Sequence, residues 1–148
     1  MICQITFEQI LPIWREQLWP NRVSKIETNS AMTLDKTIDM NNMLTISTFF
    51  GWKENNLIVG VNSGHACNDG SYRSRGLWVD PNYRKRGIGI ALLLACVEQA
   101  KKEKFNLIWS YPKKESWGTY KNAGFSLHSN WEPSETGINA YCKLLITN

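Results

Sequence analysis

The 148-residue sequence has no C-x-x-C pair and only two histidines, and its four cysteines, Cys3, Cys67, Cys96 and Cys142, stand far apart. That spacing excludes a zinc-ribbon module and a dithiol redox motif, and no metal is expected. No apolar run after Met1 is long enough to be the core of a secretory leader, and no window approaches the roughly 20 apolar residues that cross a bilayer. The cysteines therefore read as reduced thiols of a cytoplasmic protein with no membrane partner. Repeats, low-complexity tracts and Pro/Gly/Ser-rich linkers are all missing, so residues 1–148 are expected to form a single domain. Charge of one sign is scarce as well. Seventeen basic residues against thirteen acidic leave a net charge of +4, too weak an excess to argue for nucleic acid and equally suited to solubility.

What is present is the material of a packed core: 43% hydrophobic residues, including seven tryptophans. Hydrophobic periodicity predicts a strand at 2–6, a helix at 7–19 carrying Pro12, and a second helix at 34–44. Strands follow at 45–52, 57–67 and 72–79, the first two joined by the polar hairpin Lys53-Glu54-Asn55-Asn56. Residues 86–103 form the strongest helix pattern. A strand at 105–110, a short helix at 116–123 ending at Gly124, and strands at 125–131 and 138–146 complete the chain. The order is β-α-α-β-β-β-α-β-α-β-β: an α/β (α+β) domain with one β-α-β crossover.

The segment Leu77 to Leu93 runs from a strand through a basic turn into the long helix. Gly87 and Gly89 lack Cβ atoms and would let a ligand approach the backbone. The first helix amides have no intrahelical acceptor, and the helix dipole favours an anion there. Arg84, Lys85 and Arg86 would add charge-assisted hydrogen bonds. G-x-G alone is also compatible with a solvated basic turn. The third glycine of a dinucleotide fingerprint is replaced by Leu92, and no Gly-Lys-Ser/Thr follows.

Arg84-x-x-Gly87-x-Gly89, inside Val79-Asp80-Pro81-x-Tyr83-Arg84-Lys85-Arg86-Gly87-Ile88-Gly89, resembles the R/Q-x-x-G-x-G/A motif of the GNAT N-acetyltransferase superfamily. Downstream, Tyr120-Lys121-Asn122-Ala123-Gly124-Phe125 is similar to that family's Y-x-x-x-G-F ending. The resemblance covers nearly the whole chain and implies the GNAT fold, a mixed, mostly antiparallel sheet of about seven strands flanked by about four helices. It implies transfer of an acetyl group from acetyl-CoA to a primary amine, on a small molecule or a protein, by direct attack in a ternary complex. It leaves room for a homodimer and calls for no nucleic acid.

Carried over by motif, the backbone of Arg86, Gly87, Ile88, Gly89 and Ile90 would hold the diphosphate, with Arg84 and Lys85 beside it. Leu77, Trp78 and Val79 would pair with the pantetheine arm as an added strand. Tyr120 would protonate the departing thiolate, a phenol of reference pKa ~10 against a thiol of ~8.5. The sequence departs from the family at Lys114 and Trp117, where Asn and Ala are frequent, and has no carboxylate on the strand 72–79. His65 is then the best-placed general base, ahead of Glu27, Asp39 and Asp69; a water route is the alternative. The missing carboxylate also admits a catalytically silent CoA-binding or regulatory module. Strand alternation puts Arg73, Arg75, Leu77 and Val79 on one face, where the two guanidiniums call either for carboxylate partners inside the protein or for an anionic part of the acceptor.

Overall fold

The computed structural model describes residues 1–147. Strand β1 (Ile2–Ile5) leads into helix α1 (Phe7–Ile13) through a capping box. The Thr6 hydroxyl accepts the Gln9 amide at 3.2 Å, and Gln9 Oε1 accepts the Thr6 amide at 2.9 Å, so two donors that a helix start leaves unpaired are satisfied. Pro12 lies inside α1, and past it the helix widens into a π-turn over Trp14–Leu18. A proline has no amide to give the α ladder, and the bonding is wider by the end of this segment, with Trp19 N–H on the Trp14 carbonyl at 2.8 Å.

The helix expected at 34–44 does not form; only a 3₁₀ turn, Met40–Leu44, is present there. Polar side chains in this stretch take over the work of the helical ladder. Asn29 Nδ2 donates to the carbonyls of Asn42 (3.0 Å) and Thr45 (2.7 Å), and Asn42 Nδ2 donates to the Met32 carbonyl. Asp35 gathers the Thr37 amide and the hydroxyls of Thr33 and Thr37. Such local bonds compete directly with helix, and these residue types are weak helix formers.

Strands β2 (Ser47–Glu54), β3 (Leu57–Ala66) and β4 (Tyr72–Val79) follow as an antiparallel meander. The chain continues through α2 (Ile88–Lys102), β5 (Leu107–Ser110), α3 (Trp117–Asn122), β6 (Ser126–Leu127), β7 (Glu132–Ser134), β8 (Gly137–Asn139) and β9 (Cys142–Leu145). The main sheet has seven strands in the order β1-β2-β3-β4-β5-β9-β6, and only β4 and β5 run parallel. The strand expected at 138–146 is divided. The Ala140 and Tyr141 amides leave the ladder for the Pro112 carbonyl and the Ser129 hydroxyl, so β8 pairs with β7 in a separate hairpin while β9 stays in the main sheet. Three α-helices rather than four are found among the described residues.

Helices α2 and α3 cover one face of the sheet, with Leu93, Cys96, Val97 and Tyr120 packed on Tyr72, Ile108 and Cys142. Helix α1 and the π-turn after it cover part of the other, through Ile10 and Trp14 on Ile5, Phe49 and Val61. The stretch between α1 and β2 covers more of that face, with Met32 and Leu34 on Trp109 and Tyr141.

The alternation expected along β4 is broken by a bulge. The β3–β4 register shifts between Val61 and Ser63, opposite Gly76, which sits at φ +83°. A Cβ at Gly76 would lie 2.4 Å from the Trp14 indole, so both the left-handed backbone and the contact require glycine. Tyr72, Leu77 and Val79 consequently pack on the α2 side. Arg73 and Arg75 face the opposite way, against Trp109 and Trp14.

Candidate active site

Strands β4 and β5 are paired only at Tyr72↔Ile108 and Arg73↔Trp109. Beyond that point β5 ends at Ser110, while β4 runs on to Val79, and the sheet opens into a fork. At its apex the Ser110 hydroxyl donates to the Ser74 carbonyl at 2.7 Å. The Asp80 amide donates to the Val59 carbonyl at 2.8 Å, and antiparallel alternation then fixes which groups face the fork. Trp78 turns its amide and carbonyl toward Val61, its partner in β3, and so does not offer them to a ligand as expected. Leu77 and Val79 face the open side.

At the mouth of the fork lies the basic turn. Asp80 caps the short 3₁₀ segment Pro81–Tyr83 by accepting the Asn82 amide at 2.8 Å. Lys85 and Gly87 then take positive φ values of 62° and 80°. The Ala91 amide on the Gly87 carbonyl, at 3.0 Å, is the first helical bond, so the amides of Ile88, Gly89 and Ile90 precede the ladder and are available to an anion. A Cβ at Gly87 would meet nothing within 4 Å, whereas one at Gly89 would press on Thr119 at 3.0 Å. Gly87 thus shapes the turn, and Gly89 lets α3 pack close. Two of the turn's basic side chains differ in what they do. Arg84 Nε donates to the Val79 carbonyl at 2.9 Å and braces the turn, while Arg86 stacks on Tyr83 at 5.0 Å. Lys113 reaches away from this turn, to the Leu18 carbonyl.

Tyr120, on α3, is 3% exposed, and its hydroxyl lies 3.4 Å from the Ser110 hydroxyl at the apex. Burial pushes the phenol pKa up, against the smaller effect of the Ser110 hydrogen bond. The group stays protonated at neutral pH and can donate.

His65 does not fit the role of general base. It stands on β3 opposite Arg73, one strand from the fork, and is fully buried. Burial, reinforced by Arg73 and Arg75, depresses its pKa to about 3 despite the Ala66 hydrogen bond, so it is a poor proton acceptor at neutral pH. Asp69 and Asp39 hold backbone: Asp69 accepts the Ser71 amide, and Asp39 the Asn41 amide. The Glu27 carboxylate lies 3.7 Å from Lys25.

For Arg73 and Arg75 the sequence left two alternatives, carboxylate partners inside the protein or an anionic part of the acceptor. Both arginines are buried, and neither forms an ion pair among the described residues. Arg75 Nη1 donates to the Glu27 carbonyl at 2.9 Å, and its guanidinium lies 4.9 Å from the Trp14 ring and 5.3 Å from that of Trp19. Arg73 stacks 4.7 Å over Trp109. Burial lowers the pKa of both, that of Arg73 to about 10. Stacking contributes about 0.5–2 kcal/mol, whereas burying an ion costs several kcal/mol, so the indoles do not offset the penalty.

No helix among the described residues is long and apolar enough to cross a membrane. Nor do any three His, Cys, Asp or Glu side chains among them group as metal ligands.

Comparison with known proteins places this architecture. No curated protein sequence matches the chain. Three solved structures share its fold over 99% of both chains. They are a ribosomal-protein-alanine N-acetyltransferase from Brucella melitensis (15% identity, TM-score 0.65), an IAA acetyltransferase from Bacillus cereus (12%, 0.68) and an acetyltransferase of the GNAT family from Staphylococcus aureus (16%, 0.66). At these identities they speak for the fold alone. The profile of the Acetyltransferase (GNAT) family matches residues 11–125, from α1 through the fork and the basic turn to the residue after Gly124. The chain therefore belongs to the acetyltransferase (GNAT) family.

Proposed function

We propose that the protein moves an acetyl group from acetyl-CoA to a primary amine by direct attack in a ternary complex. The observation that carries this reading is the fork itself: β4 backbone without a partner strand along one side, a turn with three free helix amides at the mouth and a protonated tyrosine at the apex. The diphosphate rests on the amides of Ile88, Gly89 and Ile90, with Gly87 and Arg86 forming the rest of the turn and Lys85 beside it. The pantetheine arm pairs with Leu77 and Val79 as an added strand. The thioester then lies near the Ser74–Ser110 apex. The amine attacks from the side away from α2, and Tyr120 delivers its proton to the thiolate as the C–S bond breaks. Solvent takes the ammonium proton, since β4 carries no carboxylate and His65 is sealed away.

The acceptor face is closed by the stretch between α1 and β2, which favours a small amine over a folded protein surface. A cytoplasmic location agrees with four unpaired cysteines. The test is direct: CoA binding by calorimetry, then CoA release from acetyl-CoA across an amine library. Binding without turnover on any amine would favour the silent CoA-binding module instead.

A further inference from the structure

On the face of β4 opposite α2, recognition groups converge that the acetyl transfer does not use. Arg73 and Arg75 are 6% and 3% exposed, without a carboxylate partner among the described residues. Glu27, whose backbone carbonyl accepts from Arg75, has its carboxylate 3.7 Å from Lys25. Among the described residues Arg73 Nη1 finds the Met32 thioether at 3.6 Å, and its buried Nε has no partner. Beside it in register, His65 Nε2 is also buried and unpartnered among the described residues, its Nδ1 lying 3.0 Å from the Ala66 carbonyl. Fixed, dehydrated guanidinium donors of this kind match the paired oxygens of a carboxylate.

A neighbour of Arg75 borders a cavity that neither arginine lines. Trp19, which stacks with Arg75, also stacks with Arg22 at 4.8 Å. It lines a cavity of about 390 Å³ with Arg22, Lys113 and the Ser134–Gly137 turn. The cavity's one carboxylate, Glu135, is occupied by the Val23 and Ser24 amides and the Ser24 hydroxyl, each at 2.8 Å. The volume suits a small molecule, and its cations would draw an anion in.

We infer that the acceptor is a small amine that also carries a carboxylate, recognised by Arg75 with Arg73 beside it. The inference rests on the reading of the protein as an amine acetyltransferase. Arg75 lies one residue past Ser74, so a carboxylate held there leaves the amine of the same molecule at the apex of the fork.

The test uses product-like probes on CoA-saturated protein at low salt. N-acetylglycine, N-acetylleucine and N-acetyltryptophan are compared with their neutral primary amides by calorimetry and by the fluorescence of the stacked indoles. The acids should bind about tenfold or more tightly than the amides, as a charged hydrogen-bonded pair requires. Arg75→Gln should abolish that preference, and Arg75→Lys should retain part of it. Equal binding of acid and amide, or no binding of the acids, overturns the inference; this comparison needs only the unaltered protein, so a variant that fails to fold does not protect the idea. Failure to bind CoA at all brings down the acetyltransferase reading as well, whereas CoA binding without a preference for acids brings down this inference alone.

Discussion

Ser110 and Tyr120 meet hydroxyl to hydroxyl, 3.4 Å apart, where β4 and β5 part company. The Ser110 hydroxyl is placed to donate to the Ser74 carbonyl at 2.7 Å and, more weakly, to the phenol oxygen at 3.4 Å, and no described residue accepts the phenol's own proton. Tyr120→Phe removes one oxygen and preserves the edge-on packing with Phe125, whose ring centroid is 5.6 Å away. Expected are a kcat about 10²-fold lower and nearly unchanged CoA affinity and melting temperature. Full activity in this variant would make solvent the acid; an equal loss of CoA binding would make Tyr120 a binding residue.

Gly87 sits at φ +80° with open space where a Cβ would be. Gly87→Val combines backbone strain with a side chain in the anion's place and should weaken CoA binding more than tenfold, above ~1.4 kcal/mol. Gly87→Asn tolerates the left-handed conformation better and should keep the fold while still obstructing the phosphate. Calorimetry on both variants checks this, and unchanged affinity in both would remove the turn from the binding site.

His65 titrates far below its unfolded value. Its folded pKa is depressed from 6.5 to about 3, so between these values the unfolded chain binds the extra proton. Its contribution to stability is complete above pH 6.5 and is lost as pH falls toward 3, at up to ~1.4 kcal/mol per pH unit. Urea midpoints for wild type and His65→Gln from pH 7 to pH 4 should show a shallower acid slope in the variant. The acid limb of kcat/KM should be the same in both proteins; its disappearance in His65→Gln would restore His65 as a base.

Gly76→Ala places a methyl group against the Trp14 indole and forces a left-handed conformation on alanine. The loss should be about 2–4 kcal/mol in denaturant titrations, the sum of left-handed strain and overpacking. A loss below about 0.5 kcal/mol, the range of ordinary surface changes, would mean that the bulge relaxes freely.

Features written in neighbouring residues could be read without coordinates. The turn from Asp80 to Gly89, the long helix after it and the tyrosine four residues before Gly124 all depend on local spacing, and the structure has the turn, the helix and the tyrosine's short helix close to where they were expected. The seven strands of the main sheet were legible for the same reason, since alternation and turn residues mark them one at a time. The helix at 34–44 failed because Asn29, itself outside that stretch, takes the Asn42 and Thr45 carbonyls. The faces of β4 were misjudged because the bulge at Gly76 depends on Trp14, 62 residues away, whose indole donates to the Gly76 carbonyl. Burial decided the rest. His65 looked like a base until the sheet sealed it, and Arg73 and Arg75 found a thioether and a carbonyl, 41 and 48 residues away, instead of a carboxylate. Spacing along a chain reports which groups a local motif can assemble. Solvation and charge pairing depend on which distant segments close over those groups, and here that set both the pKa of the histidine and the unmet charge of the two arginines.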